Sequence, residues 1–159
     1  MTMKNKTNII VLLLLAMVPL MVQCTGERKA AVQTAAEAVQ LDKEQVWQLV
    51  AVRGKEVARN EAEVILMFHP ESGTLRGSIA CNRYFADYTL RLDKVTADGS
   101  RYHLKVSYVS GGNVQCPEGG MAAQERYLAL LAKADACLLT PYTLTLYQKG
   151  KEILKYGLQ

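Results

Sequence analysis

The sequence predicts an α+β fold: a single curved, mainly antiparallel β-sheet packed around one amphipathic helix. Three observations carry this. From Val46 onward, short segments alternate apolar and polar residues with period two, as half-buried strands do. After Gly111-Gly112 the period changes to three and four residues for one stretch only. Two or three strand-like segments then close the chain, so one helix interrupts a run of strands.

Val46-Trp47-Gln48-Leu49-Val50 opens the series. Val64, Leu66 and Phe68 share one face of a second strand, and Thr74 to Ala80 forms a third after the turn signal Glu71-Ser72-Gly73. Tyr84, Ala86, Tyr88, Leu90 and Leu92 line one face of a fourth. In the fifth, Tyr102, Leu104, Val106 and Tyr108 oppose His103, Lys105 and Ser107. Asp98-Gly99 between them reads as a hairpin turn. Met121, Gln124, Glu125, Leu128, Leu131 and Ala132 recur at helical spacing, which predicts a helix from about Glu118 to Ala134 with Pro117 at its entrance. The closing strands are Ala136 to Leu139, Tyr142 to Tyr147 and Glu152 to Tyr156, with Lys149-Gly150 turning the last pair. Gly73, Gly77, Gly111 and Gly112 read as turn or bulge positions, and none stands in a phosphate-cradling loop.

Ahead of this domain the chain reads as a leader for export. Lys4 and Lys6 stand in an acid-free start, and Ile9 to Val22 is apolar throughout. That run is shorter than the roughly 20 residues that span a bilayer as a helix, and its flanks fit a secretory signal. It ends at Met21-Val22-Gln23-Cys24, a lipobox-like sequence in which Cys24 is the expected lipidation site; Gln23 stands where Gly, Ala or Ser is usual. The competing reading is ordinary cleavage near Cys24 and release. The division is therefore 1–23 signal, 24–44 tether and 45–159 domain, the tether being alanine-rich and without aromatics. Removing Lys4 and Lys6 lowers the formal charge from +4 to about +2. So small a charge, without clustered Lys and Arg, gives no footprint for nucleic acid.

The domain resembles the META domain family, which includes the HslJ-like heat-shock lipoproteins of Gram-negative bacteria. Trp47-Gln48-Leu49 is similar to the family's W-x-L opening strand. Gly77-Ser78-Ile79-Ala80-Cys81-Asn82-Arg83-Tyr84-Phe85-Ala86-Asp87-Tyr88 resembles its G-x-x-x-C-N-x-[YF]-x-G-x-Y signature, with Ala86 where the family often has Gly. Val114-Gln115-Cys116-Pro117, followed by Glu125 and Leu128, resembles the second signature, Val114-Gln115 replacing Met-Ala. The resemblance implies a partly barrel-like sheet and an exported envelope protein linked to stress or drug tolerance, with no established reaction. It also implies that the two signatures adjoin in space, which favours a Cys81–Cys116 disulfide and leaves Cys137 a buried thiol. That bridge closes about 36 residues and is worth roughly 4 kcal/mol in the chain-entropy model. Cys116–Cys137 is the rival pairing.

No catalytic or metal-binding residue is expected. A cysteine nucleophile needs a base, and the chain offers only His69, at a strand end, and His103, on a polar strand face. No His-x-x-x-His, Cys-x-x-Cys or paired-carboxylate spacing appears. Asn82 is expected to turn the chain, and Glu125 to sit favourably near a helix start. Tyr84, Tyr88, Tyr102 and Tyr108 are expected as cross-strand core pairs, the rival being a surface patch for a ligand. The expectation is a non-enzymatic, monomeric envelope lipoprotein without cofactor, anchored at the periplasmic face of the outer membrane, with one possible protein partner. The partner's candidate surface is Asn82, Arg83 and Asp87 with Asn113 and Gln115. A thiol redox role for Cys81 and Cys116 is the remaining alternative.

Overall fold

The computed structural model describes residues 40–41, 45–58, 63–117 and 119–159. The leader, Cys24 and nearly all of the tether lie outside them. The elements are β1 (Trp47–Val52), β2 (Lys55–Glu56), β3 (Ile65–His69), β4 (Thr74–Ile79), β5 (Asn82–Thr96), β6 (Gly99–Gly111), α1 (Gly120–Leu131), β7 (Ala136–Leu139), β8 (Thr143–Gln148) and β9 (Lys151–Leu158). Every pairing is antiparallel, and the sheet runs β2-β1-β3-β4-β5-β6-β7-β8-β9 with a further β1–β9 pairing. That last contact, Trp47 opposite Leu158 and Val52 opposite Leu154, closes eight strands into a barrel and leaves the two-residue β2 as an appendage. Closure removes the open edges that invite pairing with other chains.

The expected curved sheet is thus a closed one. Its interior is filled mainly by strand side chains, among them Trp47, Leu66, Phe68, Leu75, Cys137, Leu144, Leu146 and Tyr156, and α1 adds Tyr127, Leu130 and Leu131 to the same core. Phe68 and Tyr88 meet edge to face with ring centroids 5.0 Å apart. Helix α1 packs against β4, β6 and β9 while Glu125, Arg126 and Ala129 stay exposed. Leu41, inside the stretch read as a tether, is partly buried against the same core.

The alternation predicted the strands, but bulges shift its phase. Phe85 pairs with Ser110 and Asp87 with Ser107, so two residues of β6, Tyr108 and Val109, oppose Ala86 alone. Tyr108 sits there at φ +51° and is 81% exposed, not in the core face shared by Tyr102, Leu104 and Val106. A left-handed backbone costs an L-residue about 1–2 kcal/mol. A second irregularity between Leu92 and Lys94 leaves Leu92 exposed at the end of its expected inner face. Gly77 is neither turn nor bulge: it lies inside β4, where a Cβ would stand 1.9 Å from the Ile65 carbonyl oxygen and 2.5 Å from the Tyr84 hydroxyl.

Helix α1 is shorter than expected, because its start is set by Gly119 at φ +76° with no side-chain cap. Its buried face is Gln124, Tyr127, Leu130 and Leu131, rotated from the predicted one, so Glu125 and Ala132 face solvent. Glu125 lies beyond the first turn, which holds no acid, so the helix-dipole reason for it does not apply. The β8–β9 turn is the expected Lys149-Gly150, at φ +49° and +77°; the Asp135 carboxylate accepts the Lys149 N–H at 2.7 Å.

Candidate functional site

Most residues singled out in the sequence converge where the β4–β5 turn meets the loop entering α1. Ala80, at φ +53°, turns the chain from β4 into β5 and presents Cys81 beside that loop. Cys81 and Cys116 are bonded, S–S 2.05 Å and Cα–Cα 5.5 Å, joining positions 35 residues apart. The rival Cys116–Cys137 pairing is excluded: Cys137 lies in the barrel wall between Tyr102 and Leu146. Burial pushes its thiol up to about 12.

Asn82 is the first residue of β5 and only 3% exposed. Its Nδ2 donates to the Val114 carbonyl at 2.9 Å and its Oδ1 accepts the Val114 N–H at 3.0 Å, so one amide side chain replaces a strand partner for the loop. The same Nδ2 lies 3.3 Å from Cys116 Sγ. Gly112 passes so close that a Cβ there would meet Asn82 Oδ1 at 2.5 Å. From the helix, Gln124 Nε2 donates to the Gly112 carbonyl at 2.8 Å. Gln124 is 6% exposed, and spacing alone had offered it only as one more position on a helical stripe. Asn82 therefore fastens the loop from inside and is not available to a partner. Residues 82–87 are strand, not loop, though Arg83 and Asp87 point outward, and Asn113 and Gln115 are exposed at the loop.

Deeper in, three phenols form a chain. The Tyr84 hydroxyl is 2.6 Å from that of Tyr127 and donates to the Ile65 carbonyl at 2.8 Å; the Tyr127 hydroxyl is 3.0 Å from that of Tyr156. Burial raises all three above the ordinary phenol range, offset for Tyr84 and Tyr156 by the Tyr127 hydrogen bond. They are neutral hydrogen-bonding groups at physiological pH. Tyr88 and Tyr102 are buried as expected, and Tyr108 is the exposed exception. Glu125 touches none of this junction. His69 is half-buried at the end of β3; exposed His103 lies 3.5 Å from Asp93. Among the described residues no three His, Cys, Asp or Glu side chains are grouped to hold a metal ion, and no helix is long and apolar enough to cross a membrane.

These features define a class: a small closed antiparallel barrel carrying one helix, with the helix entry bound to the barrel by a disulfide and a buried asparagine. The META domain model matches residues 39–158, and the chain belongs to the META domain family. The chain is similar to a protein from Burkholderia xenovorans solved by NMR, at 21% identity and TM-score 0.54, over 79% of this chain and 96% of that one. A second NMR structure is similar at 21% identity and TM-score 0.49, over 73% of this chain and 90% of that one. The first likeness speaks for the fold alone. None of the curated proteins matches the chain.

Proposed function

We propose that this is an exported lipoprotein of the bacterial cell envelope, held through Cys24 at the periplasmic face of the outer membrane, that acts without catalysis by binding or structural support. A link to stress or drug tolerance follows from family resemblance and belongs to the same proposal. The observation that carries the non-catalytic part is where the interior polar groups go. The Asn82 amide and the Gln124 Nε2 bind backbone, and the three tyrosines bind backbone or one another. The export part rests on Lys4, Lys6, Ile9–Val22 and Cys24.

Intact mass of the cell-derived protein, with and without reductant, tests the anchor and the bridge together. The expected mass starts at Cys24 with acyl chains added and rises by two hydrogens on reduction. A mass that retains the leader, or starts near Cys24 without acyl chains, overturns the anchor. Reproducible turnover across a hydrolase and oxidoreductase panel, lost in Cys81→Ser, overturns the non-enzymatic reading.

The second reading is a module that inhibits or chaperones a protein partner. What favours it is the exposed tip Asn113-Val114-Gln115, with Val114 63% exposed, and the outward-facing Arg83 and Asp87 of β5. Pull-down from envelope extract should lose its partner when these residues are replaced. A thiol redox role for Cys81 and Cys116 is the third reading, and it predicts that their bridge is reduced at a mild potential.

A further inference from the structure

A groove of about 490 Å³ lies between α1 and the strands β1, β4 and β9, away from the disulfide junction. Its floor is the buried apolar side chains of Val64, Ile79, Leu130 and Leu154. Leu49 and Val52 of β1 form one wall and are only partly covered. On the helix side stands Ala123, a residue too small to fill the space between the helix and that wall. The volume falls in the range of small-molecule sites, which combine an apolar lining with a few polar groups that orient the ligand.

The polar groups here are of one sign. Arg53, Arg126 and Lys133 line the groove, and among the described residues no acidic one does. Among the described residues, none of these three cations has an ion-pair partner. The neighbouring cleft across β1 differs, setting Glu56, Glu63 and Glu152 against Lys155. Arg126 stands on α1 and Lys133 in the turn just past its C-cap Ala132, and Arg53 follows β1 on the facing wall, held in its turn at φ +51°. An apolar trough with cations at its lip complements a molecule with a long apolar tail and an anionic head. A neutral apolar ligand would leave the cations unused, and a small inorganic anion would leave the trough empty.

We propose that this groove binds a free single-chain anionic amphiphile of the fatty-acid class, its tail against Leu49, Val52 and Ala123 over the buried floor and its carboxylate among Arg53, Arg126 and Lys133. This deepens the binding reading of the domain and rests on it. Lysine and arginine stems extend the apolar wall while their charged ends stay in water, which suits a head group held at the rim.

The test titrates the full chain with laurate, below the concentration at which laurate self-associates, and follows binding by calorimetry. Dodecanol and dodecyltrimethylammonium serve as neutral and cationic controls. Saturable one-to-one laurate binding is expected, weaker by about tenfold or more for dodecanol, for hexanoate and for the double variant Arg126→Glu/Lys133→Glu. Ala123→Trp should abolish it by filling the trough, while Lys105→Glu, a charge reversal on an outer strand face, should leave it intact. Equal binding of the cationic control, or undiminished binding in the double variant, overturns the proposal. So does a chain that takes up phosphatidylglycerol vesicles but ignores free laurate, or one that shows no saturable binding because its own leader or a second copy fills the groove. Failure here leaves the non-enzymatic reading standing. Hydrolysis of a laurate ester would overturn that reading while leaving laurate binding as support for the groove.

Discussion

The two ends of helix α1 face opposite kinds of surroundings. At its N-terminal end, the Cys81–Cys116 bridge holds the entering loop to the barrel together with partly buried hydrogen bonds from the Asn82 amide and Gln124. Toward its C-terminal end, Arg126 and Lys133 stand exposed beside an apolar trough, and neither has an ion pair among the described residues. The first region is built for rigidity: removing either partner of a buried hydrogen bond strands the other at a cost of about 1–3 kcal/mol. The second contributes little to folding, because exposed charges are worth little to stability. Groups that fasten the fold and cations without an ion pair among the described residues are thus set at different places around one helix.

The largest effect should come from the bridge. Replacing Cys81 and Cys116 together by Ser is expected to lower unfolding free energy by roughly 4 kcal/mol, measured by urea unfolding under non-reducing conditions. A loss below about 1 kcal/mol would mean that the asparagine and helix contacts hold the loop unaided. Asn82→Ala comes next, at about 2 kcal/mol, since Val114 loses both its donor and its acceptor partner. Hydrogen exchange should localise that loss to residues 112–117, and protection unchanged there would break the contrast.

Alkaline pH offers a third, graded probe of the interior. Cys137, Tyr84, Tyr127 and Tyr156 all have folded-state values raised by burial. Their contribution is fully present below the unfolded values, near 9 for the thiol and 10 for the phenols, and is lost as pH climbs toward the folded ones. Stability should therefore fall steadily between about pH 9 and 12. Cys137→Ala should flatten the lower part of that fall, and a flat profile in the unsubstituted chain would contradict the burial of these groups. The smallest effect belongs to the groove: Arg126→Ala and Lys133→Ala should each change stability by less than about 0.5 kcal/mol. A loss comparable to that of Asn82→Ala would show that these cations stabilise the fold.

How much of this was legible beforehand depends on how local each signal is. Strand positions were readable, because alternation such as Tyr102-Leu104-Val106 is a property of neighbouring residues. Tyr108 escaped that reading because a bulge adds one residue to β6 against β5, and nothing in β6 alone announces it. The helix was found but its buried face was misplaced: Tyr127 and Leu130 are buried through contacts with the barrel, while Glu125 fell on a plausible stripe and faces water. Gly77 looked like a turn because its neighbour across the sheet, Tyr84, is paired to it only in the fold. The bridge was expected from the resemblance of two signatures, whereas the groove had no sequence signal. Its cations come from positions 53, 126 and 133.

The sequence by itself determined the order of the strands, the single helix among them and the turns at Gly73 and Gly150, since each depends on short-range periodicity or composition. Only the tertiary structure decided that β1 meets β9 to close the barrel, that Asn82 is buried where it secures a loop, and that three distant cations share one trough. Those outcomes depend on which far-apart segments lie side by side, and that is settled by closure of the whole sheet around its apolar interior.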